Sequence, residues 1–80
     1  MTDVELMKRL NDVFRDVFDD DSIVVNEQTT ADDIEDWDSI EHISLISSVE
    51  DEFGMRFSMG EVSGMNNVGE MIKLIRERGK

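Results

Sequence analysis

The sequence predicts an all-α domain: a four-helix bundle with three long helices and one short helix, and a long loop between helices one and two. Three observations predict it. Apolar residues recur at helical spacing in three separate stretches, which lines one face of a helix. At four places that open an apolar-periodic stretch, a capping residue is followed three positions later by glutamate: Thr2 with Glu5, Asp38 with Glu41, Ser58 with Glu61 and Asn67 with Glu70. In such a pair the side chains satisfy amide groups that the first helical turn leaves without partners. Finally, the chain has no proline, so helix limits are set by caps and glycines alone.

The first helix is expected from about Asp3 to Phe18. Met7, Leu10, Phe14 and Val17 form its stripe, widened by Leu6, Val13 and Phe18. The second is expected from about Ser39 to Phe53, with Ile43, Leu45, Ile46, Val49 and Phe53 facing inward and Gly54 in the left-handed position past its end. A short third helix is expected near Met59 to Gly64. The fourth is expected from about Val68 to Arg78, burying Val68, Met71, Ile72 and Ile75 and placing Lys73, Arg76 and Arg78 near the negative end of its dipole. Between helices one and two, SIVV at 22–25 has no strand to pair with, so residues 19–37 read as a loop pinned by Ile23, Val25, Ile34 and Trp37.

Eighty residues, 39% of them hydrophobic, suffice for one small domain spanning 1–80 and not for two. The absence of cysteine excludes disulfides and thiolate metal sites. The start, MTDVELMKRL, lacks the apolar run of a secretory signal, and no stretch approaches a membrane span, which predicts a soluble, cytoplasmic protein; a monomer is expected. The net charge of -12 is uneven: residues 1–53 carry 17 acids and 3 bases, residues 54–80 carry 3 acids and 5 bases. This field disfavours nucleic acid and anionic membrane and favours partners with basic surfaces.

The informative segment is 37–57, WDSIEHISLISSVEDEFGMRF. If Asp38 caps the second helix, Ser39 is its first residue. Its hydroxyl then lies where amide N–H groups converge and the dipole is positive, which suits a phosphate. His42, three residues on, makes a Ser-His nucleophile pair conceivable, but no motif supplies an orienting group or an oxyanion site. His42 therefore reads as an exposed or partner-facing histidine. The run Asp19-Asp20-Asp21 invites a calcium loop, but the sixth and twelfth positions hold Val24 and Thr30 where an EF-hand has glycine and glutamate, so no defined metal site is expected and only loose, unspecific divalent binding to the acids stays open. Met55, Met59, Met65 and Met71 read as core filler or as an adaptable pocket wall.

On Asp38-Ser39-Ile40, Ile43, Leu45, Val49, Glu50, Phe53 and Phe57, and on the order of its helices, the chain resembles the acyl and peptidyl carrier protein family. The resemblance implies a carrier without catalytic residues. Ser39 would receive 4'-phosphopantetheine from coenzyme A, and Asp38 would help a phosphopantetheinyl transferase hold its magnesium. It also implies that Ile40, Glu41, Glu50 and Asp51 are read by acyl-loading and acyl-processing enzymes. Leu45, Val49, Phe53, Phe57, Val62, Met65 and Met71 match positions bordering the acyl cleft. Ile40 stands for the usual leucine, Ser44 for a common acid, and Trp37 for a small residue in a loop about one residue shorter than in fatty-acid-synthesis carriers. These departures point to a specialised biosynthetic pathway, polyketide or nonribosomal peptide chemistry included, over general fatty acid biosynthesis. An acidic interaction module, acting as an inhibitor or nucleic-acid mimic, is the alternative that needs no prosthetic group.

The self-repulsion of so acidic a chain has a measurable consequence. Its melting temperature should rise as sodium chloride is raised from low to moderate concentration, because screening relieves like-charge repulsion. A flat melting temperature would show that local ion pairs already neutralise the surface.

Overall fold

The computed structural model describes residues 1–79; Lys80, the last residue of the expected domain, lies outside them. Four α-helices follow in order: α1 (Asp3–Val17), α2 (Ser39–Phe53), α3 (Met59–Ser63) and α4 (Val68–Arg78). A short 3-10 turn, Ala31–Asp33, interrupts the loop between α1 and α2. No strand forms among the described residues.

The caps begin the helices where the sequence places them. Thr2, Asp38, Ser58 and Asn67 each accept a hydrogen bond from the backbone N–H three residues on. Only Ser58 with Glu61 closes the reciprocal box, the glutamate accepting from the Ser58 N–H at 2.8 Å. Gly54 ends α2 with φ 59°, a conformation in which a side chain would be strained.

The core is built from α1, α2 and α4. Leu10, Phe14, Leu45, Val49, Phe53, Val68, Ile72 and Ile75 are fully enclosed, and Phe18, Val25 and Met55 join them from the connections. Each such side chain contributes about 1.5–3 kcal/mol by leaving water. Two expectations need correction. The stripe of α1 is centred on Leu6, Leu10, Val13 and Phe14, with Met7 and Val17 only half-buried at its edge. Ile43 does not face inward: it is 69% exposed, because α2 turns Leu45, Ile46, Val49 and Phe53 to the core and Ile43 falls outside that face.

The long loop is held by polar contacts as well as apolar ones. Asn11 on α1 donates to the Met7 carbonyl at 2.8 Å and accepts from the Val25 N–H at 2.7 Å. Arg15 donates to the Ile23 carbonyl at 2.7 Å. At the far side, the Val68 and Gly69 N–H groups donate to the Thr29 and Glu27 carbonyls at 2.8 and 3.0 Å. A side chain at Gly69 would place its Cβ 2.8 Å from the Glu27 oxygen, so this approach of loop to α4 requires glycine.

The acidic last turn of α2 is less exposed to repulsion than its sequence implies. Arg9 on α1 donates to Glu52 Oε2 at 2.7 Å and sits 4.6 Å above the Phe53 ring. Glu50 accepts from the Phe57 N–H at 2.8 Å, which ties the chain after Gly54 back to α2. Asp51 is exposed. Neutralising these acids should therefore have opposite effects. Asp51→Asn should raise the melting temperature by relieving an unfavourable helix-dipole contact. Glu52→Gln and Glu50→Gln should lower it, and thermal unfolding at low salt measures all three.

Candidate functional site

The loop between α1 and α2 ends in an anchor that sets where α2 begins. The Trp37 ring lies edge-on to Phe14 at 5.4 Å between centroids and 6.2 Å from Phe18. The next residue, Asp38, is extended, and its Oδ1 accepts from the Glu41 N–H at 2.8 Å. Ser39 follows as the first helical residue, exposed to solvent. A bulky apolar anchor, a polar cap and a free-standing hydroxyl thus succeed one another in three residues.

Beside Ser39 lies a groove of about 410 Å³ between α2, α3 and the start of α4, lined by Trp37, Ser39, His42, Val62, Met65 and Met71. Of the seven expected cleft residues, three line it: Val62, Met65 and Met71. Leu45, Val49 and Phe53 are fully enclosed in the core behind it. Phe57 is half-buried against the core and is not among the groove's walls. The methionines divide accordingly. Met55 fills the core, Met65 and Met71 wall the groove, and Met59 does neither at 88% exposure.

His42 departs from expectation. It is half-buried, stacked on Trp37 at 5.8 Å, and both ring nitrogens are engaged. Trp37 Nε1 donates to His42 Nδ1 at 3.1 Å, and His42 Nε2 lies 3.2 Å from the Val62 carbonyl. An indole N–H only donates, so Nδ1 accepts and Nε2 carries the proton that the Val62 oxygen receives. No nitrogen remains to activate Ser39, which removes the Ser-His hydrolase reading.

Ile40 is 74% exposed on the turn after Ser39, Glu41 is half-buried beside it, and Ile43 extends the apolar surface one turn further. Ile43, expected in the core, is instead part of this exposed surface near Ser39. Among the described residues no three His, Cys, Asp or Glu side chains converge on a metal-sized position. Asp20 turns instead to Ser22, whose Oγ and N–H it accepts at 2.6 and 2.9 Å, and these bonds lower its pKa.

α3 walls the groove yet buries no residue fully. Besides the His42 contact it is held by Arg78 on α4, which donates from Nη1 to Glu61 Oε1 at 2.6 Å and from Nη2 to Glu61 Oε2.

The chain is similar to known proteins along most of its length. No family model matches it. It is 29% identical over 76 residues to the acyl carrier protein of Lactobacillus acidophilus, covering 95% of each chain. Its fold matches the solution NMR structure of a holo acyl carrier protein from Geobacter metallireducens with a TM-score of 0.84 and 42% identity, covering 90% of this chain and 83% of that one.

The grip on α3 carries a pH signature. Arg78, and after it the Ser58 N–H, hold the Glu61 carboxyl down to about 2, below the ordinary value of 4.5. A carboxylate depressed by folding stabilises the fold above its unfolded value and loses that contribution as pH falls through its folded one. The melting-temperature difference between wild type and Glu61→Gln should therefore be full at pH 7. It should shrink as pH falls from about 4.5 toward 2. A difference independent of pH would show that the Arg78 pair contributes nothing.

Proposed function

This chain belongs to the acyl carrier protein family, and from that premise we propose that Ser39 carries the family's 4'-phosphopantetheine arm and that the groove beside it receives the cargo. The protein is a carrier and not a catalyst. The observation that carries the assignment of the site is the exposed Ser39 hydroxyl at a capped helix start, opening onto a groove of about 410 Å³.

The residues present fit such an arm. The start of α2 directs its N–H groups and the positive end of its dipole toward Ser39, where a phosphodiester would be accommodated. Trp37 and Met65 offer apolar surface alongside. When bound, the arm supplies a terminal thiol that holds an acyl or aminoacyl group as a thioester. The chain's own contribution is positional: Asp38 keeps the helix start formed, and the tethered site raises the effective concentration of cargo at each partner.

Family members are modified by a phosphopantetheinyl transferase and serve acyl-processing enzymes. For this chain we propose that partners read Ile40, Ile43 and Glu41 near Ser39, with Asp51 further along α2. An apolar centre flanked by acids suits a partner surface with an apolar contact and a basic rim. Glu50 serves the fold first, through Phe57. Trp37 before Asp38-Ser39, and the exposed Ser44 where an acid is common, support a specialised pathway in the cytoplasm over general fatty-acid elongation.

The decisive experiment is modification. With coenzyme A, magnesium and a promiscuous phosphopantetheinyl transferase, intact-mass measurement should show one phosphopantetheine on wild type and none on Ser39→Ala. The variant should keep wild-type helicity, since Asp38 still caps. A wild type left unmodified by several such transferases would leave the acidic interaction module as the better reading. Efficient chain extension by a complete fatty-acid synthase would remove the specialised pathway alone.

A further inference from the structure

α3 is the α-helix with the weakest apolar hold. It has five residues, none fully buried, between two depressions. One is the groove beside Ser39; the other, of about 380 Å³, lies against α4 and is lined by Gly60, Glu61, Gly64, Leu74 and, shared with the first, Met65. A helix this short leaves its last carbonyls without partners of its own. The Val62 carbonyl is one of them, and His42 supplies its donor. The half-buried Trp37 N–H also needs an acceptor, and the other nitrogen of the same ring supplies it. His42 thus satisfies two groups on two different elements, and a residue that only donates or only accepts cannot keep both bonds.

The chain of contacts is continuous. Phe14 and Phe18 hold Trp37, Trp37 stacks on and donates to His42, and His42 donates to α3. Trp37 also stands two residues before Ser39, so the same indole fixes the start of α2 and one wall of the groove. We propose that His42 is a positioning residue: with Trp37 it clasps α3 to α2 and fixes the width of the groove beside Ser39, and so the fit of the cargo placed there. The cargo part of this inference rests on the carrier reading above; the clasp itself does not.

The experiment separates the two. In the unmodified protein, nitrogen-15 NMR of the His42 ring should show the Nε2–H tautomer, with Nδ1 unprotonated and bonded to Trp37 Nε1–H. His42→Phe keeps a stacked ring and removes both hydrogen bonds. In it, the amides of Val62 and Gly64 should exchange with deuterium about five- to tenfold faster, while those of α1 keep wild-type rates. His42→Gln, which can both donate and accept, should restore most of the protection. An Nδ1–H tautomer in wild type, or wild-type exchange of α3 in His42→Phe, would overturn the clasp. Protection kept by His42→Phe and lost in His42→Gln would assign the role to packing and overturn it equally. With an octanoyl group loaded on the arm, His42→Phe should release cargo to hydroxylamine severalfold faster than wild type. Equal release would overturn the role in cargo fit with the clasp intact, whereas failure to load wild type at all would count against the carrier reading.

Discussion

α1, α2 and α4 each commit four side chains to one small core, and α3 adds none that is fully buried, only the half-buried Val62 at its edge. Much of what is distinctive in the structure follows from this. A chain of this size has apolar surface for one packed centre, and three amphipathic helices use it up. Burial holds α3 only through Val62, so individual polar contacts add to it: a reciprocal cap at its start, an arginine from α4, an imidazole from α2. Helices held in this way leave depressions at their sides, because polar contacts fix separation without filling space. The groove at Ser39 is one of those depressions.

The long loop meets a related constraint. It must cross the bundle without secondary structure to satisfy its backbone. Asn11 and Arg15 from α1 bond the Ile23–Val25 stretch, and the first turn of α4 bonds Glu27 and Thr29. From there the chain needs only the short turn Ala31–Asp33 to bring Trp37 onto Phe14. Ser39 is exposed yet stands two residues from a side chain lodged against α1. On the proposed reading, an exposed hydroxyl on a defined backbone suits the transferase that would modify it.

The limits of α2 and α4, all four caps and Gly54 were legible in the sequence because each is a local matter of propensity and short-range hydrogen bonding. The facing of Ile43 was not. α2 carries apolar residues on two sides: Ile40 and Ile43 on one, Leu45, Ile46, Val49 and Phe53 on the other. Periodicity alone admits either stripe, and the choice is made by which face α1 and α4 cover. His42 was misread for a similar reason. Its partners are a loop residue and a carbonyl 20 positions away, and no spacing rule places them. Arg9 with Glu52, 43 positions apart, belongs to the same class.

That last pair bears on how partners would read α2. Three acids at a helix C-terminus oppose its dipole, and in isolation they look like a cost accepted for recognition. In the folded chain Glu52 meets Arg9, and Glu50 receives the Phe57 N–H. Two of the three thus serve the fold, one joining α1 to α2 and the other turning the chain after Gly54. A partner binding there would have to compete with contacts already made. The opposite end of α2 presents the reverse case. Ile40 and Ile43 are exposed with the core complete without them, and Glu41 spends only its backbone N–H on the cap of Asp38. On the proposed reading, recognition therefore shifts toward the start of the helix, within two turns of Ser39. There a bound partner would already have its active centre near the hydroxyl or the cargo that it must reach.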